Sequence, residues 1–257
     1  MTTPPALSIW PLKGLPMFQA GDDLAEAFAR SLEEGGLEPR DGDVLVIAQK
    51  IVSKAEGRQV ALADVTPSAE AVALASQTLK EPEVCELILR ESAQLMRVRE
   101  GVVIVRHRLG HVLANAGIDA SNVADPSGPV RVLLWPEDPD ASARRIREAL
   151  AERLGVNLAV VISDSLGRAW RVGTLGTAIG SAGLTPIRDR RGETDLFGRE
   201  LIATITGVAD ELAAAGTLVM GEASEGLPAA LIRGAVFPPG EGGVREILRA
   251  PEIDLFP

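Results

Sequence analysis

Two short runs without a polar residue, Val44-Leu-Val-Ile-Ala48 and Leu158-Ala-Val-Val-Ile162, most constrain how this chain folds. Each has strand length, is rich in β-branched residues and is bounded by polar or turn-forming positions, so each reads as a buried strand. Each also ends abruptly in chemically capable residues. The first leads into Gln49-Lys50-Ile-Val-Ser53-Lys54-Ala-Glu-Gly57-Arg58, the second into Ser163-Asp164-Ser165-Leu-Gly167-Arg168. An aspartate can hold a divalent cation, a serine can share it, and a guanidinium can clamp a phosphate or carboxylate. Two lysines beyond a strand end can neutralise phosphate as point charges, a solvated basic loop being the plainer alternative.

The remaining pattern mixes strands and helices. Leu7 to Leu12 reads as a short strand and Gly14 to Met17 as a turn. Asp22 and Asp23 cap a helix running to about Glu34, which Gly35-Gly36 stops. Thr66-Pro67 opens a helix to about Leu79, and Pro82 another to about Met96. Val102–Arg106 and His111–Ala114 read as paired strands, Val130–Trp135 as a strand and Ala141–Leu154 as a helix. Residues 204–215 become helical at their later end, and Leu218–Met220 and Ala229–Arg233 read as strands. From Pro238 the chain is rich in Pro and Gly, then weakly helical. The order does not repeat strand–helix–strand, which predicts an α+β fold of mixed and antiparallel sheets with packed helices. We expect residues 1–257 to form one unit, built as two intertwined subdomains, with 125–129 and 136–140 as the boundary candidates.

Composition removes several functional classes. A net charge of −10, 3% aromatic residues and no Tyr argue against a nucleic-acid surface. No apolar run approaches the roughly 20 residues of a membrane span, and no secretory leader pattern is present, so a cytoplasmic location is expected. The single cysteine, Cys85, lies on an apolar helical face and reads as core. His107 and His111 flank a turn and read as structural or surface residues. There is no G-x-x-x-x-G-K-[ST] loop. Glycines 173, 176, 180 and 183 lack dinucleotide-fingerprint spacing; close backbone packing is the leading reading and ligand contact the alternative.

Three carboxylates stand where an apolar element gives way to a Gly-rich loop: Asp119, Asp164 and Glu222. Each taken singly is a common turn former. Converging, they could hold one or two hard cations, Mg²⁺ or Mn²⁺, that bridge phosphate oxygens.

Six motifs occur in order: Gly14-Leu15-Pro16; Gln49 to Arg58; Asn115-Ala-Gly-Ile-Asp119-Ala-Ser-Asn122; Ser163 to Arg168; Asp195-Leu-Phe-Gly198-Arg199-Glu-Leu201; and Met220-Gly-Glu222-Ala-Ser-Glu225-Gly-Leu-Pro228. Together they strongly resemble the coenzyme F-420-0:gamma-glutamyl ligase family, in its form without a nitroreductase-like domain. The resemblance implies a homodimer that uses GTP to add L-glutamate to coenzyme F-420-0, and then further gamma-linked glutamates, through an acyl phosphate. It implies Mn²⁺ or Mg²⁺, two ions per site, with K⁺ as a further ion. The metal ligands it implies are Asp119, Asp164, Ser165 and Glu222. The GTP contacts it implies are Leu15, Pro16, Met17, Phe18, Gln49, Lys50, Lys54, Asn122, Met220, Gly221, Glu222, Ala223, Ser224, Glu225, Gly226 and Leu227. Lys54 and Arg168 are the residues expected to counter phosphate charge during catalysis. Trp170, Arg171 and residues 195–199 are candidates for the substrate pocket. A GTP-binding phosphotransferase acting on another acid, or a non-catalytic regulator of the same fold, is the alternative.

Overall fold

A computed structural model describes residues 6–123 and 128–254. Along the chain run β1 (Ser8–Pro11), α1 (Leu24–Glu34), β2 (Val44–Ala48), α2 (Gln49–Ala55), β3 (Gln59–Ala61), α3 (Ala69–Thr78), α4 (Pro82–Glu91), β4 (Ser92–Arg99), β5 (Val102–His107) and β6 (Val112–Ala114). Then come β7 (Arg131–Leu133), α5 (Pro139–Leu154), β8 (Ala159–Gly167), β9 (Thr174–Ala182), β10 (Arg188–Asp189), β11 (Ile205–Thr206), α6 (Val208–Met220) and β12 (Ala229–Arg233). The fold is α+β, as expected from the sequence.

The central sheet has the order β1-β12-β2-β8-β9. Only β2 and β8 within it are parallel, in register from Val44 opposite Ala159 to Ala48 opposite Ser163. The two all-apolar runs therefore lie side by side. They carry no polar alternation because both faces are covered. Leu45, Ile47, Val160 and Ile162 pack with α1 and α5 through Phe28, Leu32, Ile146 and Leu150. Val44, Val46, Ala159 and Val161 pack with Val208, Leu212 and Ala213 of α6. Smaller sheets, β4-β5-β6 and β3-β7, and the β10-β11 pair complete the described strands. The α3–α4 hairpin packs on β5 through Leu74, Cys85, Ile88, Val103 and Val105. Cys85 is fully buried, as its apolar helical face predicted.

Helix α6 lies very close to the sheet. A Cβ on Gly216 would fall 2.7 Å from Val46, and one on Gly176 of β9 would fall 2.5 Å from Thr217. Gly180 meets Pro139, at the start of α5, at 2.5 Å. These glycines serve backbone packing, the favoured reading of the Gly-rich stretch, although the stretch is a strand that periodicity did not reveal.

Three further expectations are corrected. The helix opened by Pro82 ends at Glu91, and Ser92–Arg99 forms β4. Its helix-forming residues are overridden by pairing with β5, and the Ser92 hydroxyl donates to Ile88 O at 2.5 Å where the helix stops. Leu218–Met220 form the last turn of α6; so short an apolar run has no period of its own. Gln49–Ala55 is a helix following β2 directly, with Lys54 buried, so the basic-loop reading fails. Residues 125–127 of one expected boundary lie outside the described residues, and 136–140 lead straight into α5.

Candidate active site

Where the parallel pairing of β2 with β8 ends, at Ala48 and Ser163, lies a cleft of about 420 Å³. In sheets with parallel strands this is where ligands bind, because loops diverge there and leave a crevice. Its walls come from residues 15–18, the start of α2, the strand end Ser163-Asp164-Ser165, Asn122, and the loop after α6. Every residue expected to contact GTP lines it: Leu15, Pro16, Met17, Phe18, Gln49, Lys50, Lys54, Asn122 and Met220 through Leu227. Asp164 and Ser165 line it as well. Arg168 does not. Its side chain is exposed and donates to Gly173 O at 3.2 Å, beyond the cleft wall. Trp170, Arg171 and residues 195–199 also lie outside the lining.

Local structure explains where each carboxylate is placed. In the β8–β9 ladder Ile162 pairs with Gly180 but Ser163 with Ala178, so β9 carries an extra residue just before Asp164. Such a bulge twists the ladder and re-aims the side chains next to it. Asp164 Oδ2 accepts the Trp135 indole N–H at 2.8 Å, and Oδ1 accepts the Ser165 backbone N–H at 2.8 Å. Asp119, on the chain after β6, is not part of the cleft lining and meets it through Lys50. Its Oδ1 accepts from the Ser121 backbone and hydroxyl at 3.0 and 2.8 Å, and Oδ2 pairs with Lys50. Glu222 follows Gly221, a position at φ 75° that releases the chain from α6. Its Oε2 accepts the Ser165 hydroxyl at 2.6 Å. Asn122, left-handed at φ 56°, spans the cleft by donating to Ala223 O at 3.0 Å.

The lysines are held, not free. Lys50 and Lys54 share one face of α2, one turn apart. Lys54 Nζ donates to Asn122 O at 2.6 Å. Burial, and then the charge of Lys50, keeps the Lys54 ammonium below the usual lysine range. Burial also lowers Lys50, against the pull of Asp164 and Glu222. The Asp164 carboxyl is raised by burial, opposed by the Trp135 and Ser165 hydrogen bonds and by Lys50, and reinforced by Glu222. Lys50 is thus a cation set among Asp119, Asp164 and Glu222.

That arrangement tests whether divalent ions suit the site. The donors are hard oxygens, the set appropriate to Mg²⁺ or Mn²⁺, and an ammonium already stands in for positive charge among them. The group fits. Among the described residues, no three His, Cys, Asp or Glu side chains come close enough to share one ion, in keeping with carboxylates that surround Lys50 instead.

Sequence reasoning missed Trp135 and Thr217, and it placed Ser163 in a motif without giving it a role. Thr217 and Ser163 line the cleft from α6 and β8. Trp135 was visible only as the large end of an apolar strand. His107 and His111 are buried, with rings 4.9 and 5.3 Å from the Trp135 ring, so both are structural. A wider concavity of about 750 Å³ beside α1 holds none of the predicted site residues.

The family model described as F420-0:Gamma-glutamyl ligase matches residues 14–234. The coenzyme F420:L-glutamate ligase of Methanothermobacter thermautotrophicus is 49% identical over 254 residues, covering 97% of this chain and 98% of the relative. That of Methanopyrus kandleri is 47% identical over 257 residues, 98% of each chain. That of Archaeoglobus fulgidus is 40% identical over 250 residues, 97% and 96%. With a matched span that includes every residue of the cleft, this chain belongs to the F420-0:gamma-glutamyl ligase family.

Proposed function

We propose that this protein is a GTP- and divalent-metal-dependent ligase that forms the amide between a carboxylate of coenzyme F420-0 and the amine of L-glutamate, and adds further gamma-linked glutamates. The observation that carries the reading is the cleft itself: two buried or half-buried lysines and three carboxylates surround a space fit for a nucleotide and its counter-ions. The names of the relatives supply the acceptor and the amino acid. Thiol and histidine nucleophiles are not needed, which agrees with the buried Cys85, His107 and His111.

In this reading the precursor's carboxylate oxygen attacks the γ-phosphorus of GTP, GDP leaves, and an acyl phosphate forms. The glutamate amine then attacks the acyl carbon, and inorganic phosphate departs with one former carboxylate oxygen and the amine releases a proton. Asp119, Asp164, Ser165 and Glu222 would hold the divalent ions, which would supply positive charge against the phosphates. Lys50 and Lys54 place positive charge along the phosphates. The Asn122–Ala223 hydrogen bond joins two cleft loops. Residues 15–18 and 220–227 supply the nucleotide walls. K⁺ is a candidate auxiliary ion, to be read from activity with and without it. No described helix is long and apolar enough to cross a membrane; the expected location is the cytoplasm.

The chain acts as a homodimer in this account. Trp170 and Val172 are exposed on the β8–β9 turn, and Leu196 and Phe197 on the segment between β10 and β11, apolar side chains that a second copy would cover. The deciding experiment for the function uses GTP, Mn²⁺, F420-0 and glutamate, with GDP and the mass of the deazaflavin product measured. Asp164→Asn should abolish both GDP release and the glutamyl mass gain while thermal unfolding stays cooperative. Unchanged turnover in that variant would sink the assignment. GDP without an adduct would favour a phosphotransferase, and GTP binding without turnover a regulator.

A further inference from the structure

We propose that Trp135 is a positioning residue for Asp164, and that the segment Leu133–Trp135 sets the spacing between two candidate metal ligands. This rests on the reading of Asp164 as a ligand. Leu133 exchanges both backbone hydrogen bonds with Asp119, at 2.8 and 3.0 Å. Two residues on, the Trp135 indole N–H holds Asp164 Oδ2 at 2.8 Å. One extended segment thus grips Asp119 by its backbone and Asp164 by its side chain. An indole N–H can only donate, so its direction is fixed wherever the ring is fixed.

The ring is fixed on several sides. Trp135 is wholly buried. His107 and His111 pack against it at 4.9 and 5.3 Å between ring centres. Its carbonyl accepts Arg58 Nε at 2.8 Å. Gly117 passes so close that a Cβ there would lie 2.5 Å from Trp135 Nε1. Asn115, Ala116 and Gly117 all adopt left-handed φ, 52°, 53° and 67°, to carry the chain around the ring towards Asp119. Backbone of this kind persists only where its surroundings hold it. The indole therefore holds one oxygen of Asp164 while the segment that carries it holds the backbone of Asp119.

The test is Mn²⁺ binding without nucleotide or substrate, followed by the paramagnetic signal of free Mn²⁺. Trp135→Phe keeps the aromatic bulk and removes only the donor. Affinity should fall roughly 10-fold, the range seen when a partner of a metal ligand is lost. A Trp135→Phe protein that melts earlier but binds Mn²⁺ within about twofold of wild type has lost only packing, and that result overturns the proposal. Asp164→Asn is the control. If it binds Mn²⁺ like wild type, the ligand reading itself fails and the proposal with it; if it binds weakly and Trp135→Phe does not, the positioning role alone fails. Should Trp135→Phe not fold, the chain's three tryptophans allow a second measurement. In protein labelled with nitrogen-15 tryptophan and carrying Trp10→Phe and Trp170→Phe, the remaining indole N–H resonance should move on saturation with Mg²⁺. A resonance that stays fixed overturns the proposal.

Discussion

Replacing Lys50 by Gln should tighten divalent-metal binding by the nucleotide-free protein. The ammonium pairs with Asp119 and feels the charges of Asp164 and Glu222. A cation entering among these carboxylates must therefore move the ammonium or tolerate it. Two unit charges about 4 Å apart exchange about 4 kcal/mol at an effective dielectric of about 20. Part of that is offset already, since burial lowers Lys50 and water reaches the 30% of its side chain that is exposed. A net competition of about 1–2 kcal/mol remains, which corresponds to roughly 5- to 30-fold in affinity. Gln preserves length and removes charge. The assay is a Mn²⁺ titration of wild type and Lys50→Gln, without and with GTP. Without GTP the variant should bind Mn²⁺ more tightly by that factor. With GTP the order should reverse, because the lysine then faces phosphate. Equal or weaker Mn²⁺ binding by nucleotide-free Lys50→Gln would refute the idea that Lys50 occupies the cation position.

Stability should fall in two stages on acidification. Burial, and then the charge of His107, holds His111 at about 4 against an ordinary 6.5, so the unfolded chain takes up a proton that the folded one refuses, and about 3 kcal/mol is lost between those values. Burial pushes the Glu91 carboxyl up, but hydrogen bonds from His107 and Arg108 and the charges of Arg108 and Arg58 outweigh it and bring it from 4.5 to about 2, so a further loss follows across that lower window. Denaturant titrations at stepped pH should show both limbs, and His111→Gln should flatten the upper one. Gly216→Ala should cost about 1–3 kcal/mol by forcing α6 away from Val46, read as a lower melting temperature with a weakened nucleotide site, since α6 carries the loop at 220–227. Phe197→Asp combined with Val172→Asp should halve the mass seen in sedimentation if those exposed residues meet a second copy.

What the sequence made legible was where the two apolar runs end, although β8 itself continues to Gly167. The apolar runs before Gln49 and Ser163 pinned two strands, and their parallel pairing brings the residues after each into one cleft. The order of motifs named the other contributors, and all sixteen positions assigned to GTP do line the same space. Arg168 is a different case. It lies three residues after Ser165, but β8 continues to Gly167 and Arg168 is not part of the cleft lining, so proximity along a strand did not become proximity in space. The helix at Gln49–Ala55 was hidden because its lysines and glycine-ended tail look like a loop, yet burial of Ile51 and Val52 makes it helical. Trp135 could not be assigned from sequence, since its partner Asp164 is 29 residues away and the glycine that clears space for it, Gly117, reads as an ordinary turn residue. β4 was misread because its helix-forming residues are overridden by a neighbour strand that only the tertiary structure supplies.

The central claim is that the cleft activates a substrate carboxylate by transferring phosphate to it from GTP. It is tested most directly by following oxygen-18 from F420-0 labelled in that carboxylate, with GTP, Mn²⁺ and glutamate present, into the released inorganic phosphate. One labelled oxygen should appear in phosphate for each first glutamyl bond formed, the one made to F420-0 itself, with the other retained in the amide. Glutamyl product formed with unlabelled phosphate would contradict it.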